Sequence, residues 1–160
     1  MINKLTSPLT GPALVVIGIG NEFRGDDGVG IYVATRLKEI NLTGILVIEQ
    51  SGEGTSLLES FKGHDNIIIV DAAQSGTHPG TIHIIEINKQ PLPRDLFRGG
   101  FSHAFGLAEA IELGKNLSQL PQRLQIYGIE ARSFELGEQM SDEVKNGAEQ
   151  VIEFIIQGVS

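Results

Sequence analysis

A three-layer α/β/α sandwich around a mostly parallel, twisted sheet of about five strands is the fold this sequence predicts, and three observations point there. The aliphatic runs at 14–17, 45–48 and 67–70 are nearly continuous rather than alternating, which marks strands covered on both faces. Between them, apolar residues recur at helical spacing. Glycine, proline and asparagine clusters separate the two patterns, with no linker, repeat or low-complexity tract, so residues 1–160 read as one domain.

The first strand, 14–19, runs into a turn containing Gly18, Gly20, Asn21, Gly25, Asp26, Asp27, Gly28 and Gly30. Val29, Val33, Leu37 and Ile40 then give a helix, with Asp26 or Asp27 as its N-cap. A second strand, 45–48, leads through the loop 49–54 to a short helix carrying Leu57, Leu58 and Phe61, which Gly63 stops. The third strand, 67–70, is wholly apolar and closes on Asp71. After a turn with Gly76, Pro79 and Gly80, residues 81–87 alternate less strictly and are expected as an antiparallel neighbour. The segment 88–100 reads as the longest loop, after which Ser102 caps a helix through Leu107, Ile111 and Leu117. A last strand, 124–129, and a second irregular stretch precede a terminal helix. Ser141 opens it, with Asp142 and Glu143 in its first turn and Val144, Ala148, Val151, Ile152 and Ile155 on its apolar face.

Composition narrows the chemistry. The chain of 160 residues has no cysteine, which removes disulfides, thiolate metal ligands and a thiol nucleophile. A formal charge of −8 and a pI near 4.9 argue against a nucleic-acid partner, whose phosphates need a positive surface. The first eight residues carry one lysine and no apolar core of a signal peptide, and the next apolar stretch is too short to span a bilayer. The expectation is a cytoplasmic monomer without membrane attachment.

In open α/β sheets, sites gather beyond the carboxyl ends of the strands. Asp27 follows the first strand, Asp71 closes the third, and His103 follows the long loop at a helix start. Two carboxylates and an imidazole from separate segments suit a three-point metal site with open positions, although no spacing motif such as HExxH is present. Read alone, the residues favour the ordinary reading, with Asp71 a cap or turn residue and His103 a first-turn histidine. The glycine turn is not a dinucleotide fingerprint, because Phe23 stands where the third glycine belongs, and it has no lysine for a phosphate loop. Residues 100–104 approximate a nucleophile elbow but lack the apolar strand such an elbow requires. His64, His78 and His83 read as structural, in two turns and a strand.

The turn resembles the opening motif of the nickel-iron hydrogenase maturation endopeptidases, GxGN followed by D-[DE]-G-x-G. The strand ending Ile69-Val70-Asp71-Ala72, the segment Ser102-His103-Ala104-Phe105-Gly106-Leu107, and the closing Gly128-Ile129-Glu130 with Gly137 to Ser141 resemble further blocks of that family, in the same order. The resemblance implies a peptidase that removes a C-terminal extension from the precursor of the hydrogenase large subunit after nickel insertion. It also implies that Asp27, Asp71 and His103 contact nickel carried by the substrate. The family has glutamate or aspartate at the first position, so Asp27 shortens the reach and keeps the ligand. Nickel polarising the scissile carbonyl and a two-aspartate protease mechanism both stay open. Two rival readings are a non-catalytic nickel-sensing chaperone and a small enzyme binding a phosphorylated ligand on the 18–30 turn. Substrate specificity is expected in the loops 88–100 and 132–140.

Overall fold

The computed structural model describes residues 11–93, 95–97 and 106–159. Five strands form one sheet: β1 Leu14–Ile19, β2 Ile45–Gln50, β3 Asn66–Ala73, β4 Ile82–Glu86 and β5 Arg123–Glu130. Their order is β2-β1-β3-β5-β4, parallel throughout except for β4, which runs antiparallel to β5. The helices are α1 Val29–Ile40, α2 Gly54–Phe61, α3 Leu107–Asn116 and α4 Asp142–Val159.

The apolar runs behave as their patterning requires. Every residue of β1 is buried, and β3 and β5 are buried along most of their length, because helices cover both faces. One core joins Val15, Ile17, Ile67, Ile69 and Ile126 to Leu57, Phe61 and Ile111 from α2 and α3. The other joins Val16, Ile68, Val70 and Ile129 to Val33 and Leu37 of α1 and Val151 and Ile155 of α4. The edge strands differ: Leu46 of β2 and Ile84 of β4 are exposed.

Three expectations need correcting. Residues 82–86 are antiparallel, but their partner is β5 rather than the preceding β3. Hydrogen bonding to β5 carries β3 on through Ala73, so Asp71 lies inside the strand opposite Gly128 instead of closing it. Neither Asp26 nor Asp27 caps α1. A 3-10 turn, Gly25–Gly28, holds both, and Gly28 is the N-cap residue, without a side-chain bond. The described part of α3 begins at Leu107, where Glu109 accepts from the N–H of Gly106 at 2.8 Å; Ser102 lies outside the described residues.

Gly30 sets the geometry that matters most. A Cβ there would stand 2.2 Å from the carbonyl oxygen of Ile19 and 2.4 Å from that of Val70. The N-terminus of α1 is thereby pressed against the ends of β1 and β3, a closeness only glycine permits.

Candidate active site

The sheet order reverses between β1 and β3, with β2 on one side and β3 and β5 on the other. Such a switch point opens a crevice beyond the carboxyl ends of the strands. Asp27, in the 3-10 turn after β1, and Asp71, near the end of β3, come together there from segments 44 residues apart in the chain.

Their electrostatics are unfavourable for two free carboxylates. Burial, and then the charge of Asp27, push the Asp71 carboxyl from 3.8 up to about 8, against a single backbone bond from the Ala72 N–H at 2.8 Å. Part of the Asp71 residue still reaches the surface. Asp27 accepts a bond from the Asn21 N–H at 3.1 Å, and the Asn21 side chain in turn accepts from the Phe23 N–H at 2.9 Å. Two carboxylates this close, one of them pushed toward its neutral form, are a pair suited to binding a cation or to sharing a proton.

His103 lies outside the described residues. The segment that contains it is bracketed by Phe97 and Gly106. Phe97 packs on Gly128, where an added Cβ would meet its ring at 2.9 Å, and Gly128 is the register partner of Asp71. Among the described residues no group of three or more histidine, aspartate and glutamate side chains could hold a metal ion.

The turn does not form a phosphate cradle. The N–H groups of Gly20, Asn21, Phe23, Arg24, Gly25, Asp26 and Asp27 all donate within the protein. A site built on backbone donors needs them to point at the ligand instead.

Two other carboxylates have roles the sequence reading missed. Asp26 is 1% exposed and accepts from the N–H groups of Arg132, Ser133 and Ser141 and from the Ser141 hydroxyl, at 2.7–3.2 Å. It thus clamps the 132–141 loop to the turn that carries Asp27. Ser141 stands immediately before α4, its hydroxyl donates to this clamp, and its carbonyl accepts from the Lys145 N–H. Gly25, at φ 57°, completes the joint: its N–H donates to the Glu138 carbonyl, and a Cβ would stand 2.8 Å from the Ser133 carbonyl.

Glu130 is 2% exposed at the end of β5. It accepts from the Ser75 N–H and hydroxyl, the Gly76 N–H and the Thr77 hydroxyl, and His83 Nε2 stands 3.1 Å from it. Burial works to raise its pKa, yet these bonds outweigh burial and hold the carboxyl below its usual range. His83 is therefore part of a knot that fixes the loop after β3. The signal available in the sequence was Glu130 itself, a charge at the end of an apolar strand that could not be buried without donors.

His64 sits at the opposite end of the strands, just before β3, lining an open cavity of about 460 Å³ formed by residues 61–65 and 118–122. His78 offers its carbonyl to Thr81 in the turn before β4.

No helix among the described residues is long and apolar enough to cross a membrane. The chain is 26% identical over 133 residues to the hydrogenase expression/formation protein HupD of Rhizobium leguminosarum bv. viciae. That match covers 80% of this chain and 64% of HupD, so the chain spans less than two thirds of that relative's length. It superimposes on the hydrogenase maturating endopeptidase HybD from E. coli with a TM-score of 0.76, at 23% identity and over 91% of both chains, which establishes the fold. The [NiFe] hydrogenase maturation protease HycI from Thermococcus kodakarensis KOD1 matches with a TM-score of 0.70 at 28% identity, over 90% of each chain. The model of the HycI family, hydrogenase maturation protease, matches residues 31–158, a span that includes Asp71 and begins just after the turn holding Asp27. An α/β fold of this topology, a crevice with two carboxylates at its switch point, and a family match over most of the sequence place this chain in the hydrogenase maturation protease family, a family of peptidases.

Proposed function

We propose that this chain is an endopeptidase that removes the C-terminal extension of the nickel-loaded precursor of a hydrogenase large subunit. Asp27, Asp71 and His103 read the nickel that the substrate brings. The observation that carries the reading is the Asp27–Asp71 pair brought together at the switch point, in which burial and the neighbouring charge push one carboxyl up to about 8. A divalent ion arriving with the precursor supplies positive charge, and both carboxylates ionise around it. His103 follows Phe97 by six residues, within reach of the same crevice at ~3.5 Å per extended residue.

Peptide hydrolysis requires a polarised carbonyl and a base for the attacking water. The substrate's nickel serves the first need. One of the two carboxylates takes the proton of the water as its oxygen adds to the carbonyl carbon, and returns it to the departing amine nitrogen. The bound nickel thus acts as a certificate that metal insertion is complete, because without it Asp71 keeps its proton.

The test is incubation of the protein with nickel-loaded and nickel-free precursor, followed by mass measurement. Loss of a C-terminal fragment from the loaded precursor alone is the expected result. Binding without any mass loss would favour a nickel-sensing chaperone instead. His103→Gln should abolish cleavage while leaving the melting temperature unchanged, and normal cleavage by that variant would remove His103 from the site.

A further inference from the structure

The two most exposed large apolar side chains among the described residues are Phe23 at 69% and Leu136 at 67%. They belong to segments more than 110 residues apart, yet the folded loops bring them to neighbouring positions. The Gly137 N–H donates to the Phe23 carbonyl at 2.9 Å, the Gly25 N–H to the Glu138 carbonyl at 3.2 Å, and the Asp26 N–H to the Ser133 carbonyl at 2.9 Å. Beneath this junction lies the buried Asp26 carboxylate with its four donors from Arg132, Ser133 and Ser141. The support is therefore rigid, while the apolar groups on it face water.

Exposing two large apolar groups on a fixed scaffold costs solvation that folding alone does not recover. Two hydrogen bonds, through Asn21, join Phe23 to Asp27. The apolar pair is continuous with the proposed site. Glu22, Glu135 and Glu138 stand exposed on the same two loops, in a chain of net charge −8.

We propose that Phe23 and Leu136 form an apolar lip that grips the protein substrate beside the Asp27 crevice, taking an apolar side chain flanked by basic residues. The proposal rests on the peptidase reading above and adds to it a substrate contact away from the metal. A second copy of this chain is the poorer occupant. Two side chains are far short of the ~800 Å² per partner of a stable interface, and two acidic copies repel. A lip that merely extends an existing substrate site needs no such area, and an aromatic anchor on a rigid loop is the usual form of an energetic hot spot.

The experiment compares wild type with Phe23→Ser, Leu136→Ser, the double variant, and the conservative Phe23→Tyr plus Leu136→Met. Binding to immobilised nickel-loaded precursor and cleavage kinetics are measured, with thermal melting as the check on folding. The double variant should melt like wild type, bind the precursor at least about tenfold more weakly, and raise KM by a similar factor with kcat within about twofold. The conservative pair should restore most of the binding, and added salt should weaken it in the wild type. Unchanged binding and KM in the double variant would overturn the proposal. So would a loss confined to kcat, or a wild-type dimer that the double variant converts to monomer. If wild type binds the precursor without cleaving it, the peptidase reading fails and the binding comparison still decides the lip. If it does neither, both fall.

Discussion

Asp71 and Glu130 lie two rungs apart on adjacent strands and on the same face of the sheet, and they have opposite fates. Both are carboxylates near the carboxyl ends of β3 and β5, Glu130 buried and Asp71 partly so. Glu130 is surrounded by donors from Ser75, Gly76, Thr77 and His83 and is held in its charged form. Asp71 has the Ala72 N–H and a second carboxylate for company, and is driven toward its neutral form. The difference teaches that burial alone does not mark a functional carboxylate. The supply of donors separates the two: a carboxylate wrapped in donors stays charged and belongs to the scaffold, and one with few donors beside a like charge is pushed toward its neutral form.

The comparison is broken most directly at the carboxylate pair. Asp27→Asn and Asp71→Asn should each lower precursor cleavage by ~10²-fold or more while the protein stays folded, the scale of losing a catalytic acid–base group. A cleavage assay run beside circular dichroism decides it. Normal cleavage by either variant would make that carboxylate a bystander. At the satisfied partner the effect should fall on stability. Glu130→Ala removes the shared acceptor of five donors on the exposed Ser75, Gly76 and Thr77 and the half-buried His83, and should cost about 1–3 kcal/mol in urea unfolding. A cost below about 0.5 kcal/mol would mean that water replaces the carboxylate freely.

A pH series sharpens the contrast, because the two groups pull in opposite directions. The Asp71 value of about 8 lies above its ordinary 3.8, so the folded protein holds a proton that the unfolded chain has lost. Its contribution to stability is present in full below about 4 and disappears as pH rises to about 8. Asp71→Asn should therefore raise the melting temperature relative to wild type progressively between pH 5 and 8, by about 2–4 °C for each kcal/mol recovered, and converge with wild type near pH 4. Glu130 is lowered instead, so its contribution is present above its ordinary 4.5 and is lost as pH falls through its folded value. A difference between Asp71→Asn and wild type that stays constant with pH would refute the assigned shift. The smallest effect is expected at the amino ends of the strands: His64→Gln should alter stability by within ~0.5 kcal/mol and leave cleavage at the wild-type rate.

How much of this was legible follows from distance along the chain. The strands and helices are local events, and periods of the aliphatic residues over 4–12 positions were enough to place β1, α1, β2, α2, β3, β5 and α4. Asp27 and Asp71 could be singled out because each follows or interrupts an apolar run, and the general rule for open α/β sheets says where such positions meet. The 3-10 turn before α1 was not foreseen. It forms because Asp26 is drawn away from α1 by donors 106 to 115 residues downstream.

The same reason governs the order of the sheet, the antiparallel pairing of β4 with β5, and the continuation of β3 past Asp71 through Ala73. Each depends on which backbone donors and acceptors find one another across the finished fold, and no local pattern encodes that choice. Glu130 and His83 show it most plainly. Alone in the sequence, one is a stray charge and the other a stray histidine; their pairing, 47 residues apart, exists because β4 turns back along β5 and sets the two side chains on one face. Periodicity is written into neighbouring residues, whereas the satisfaction of a buried charge is settled only when distant segments close around it.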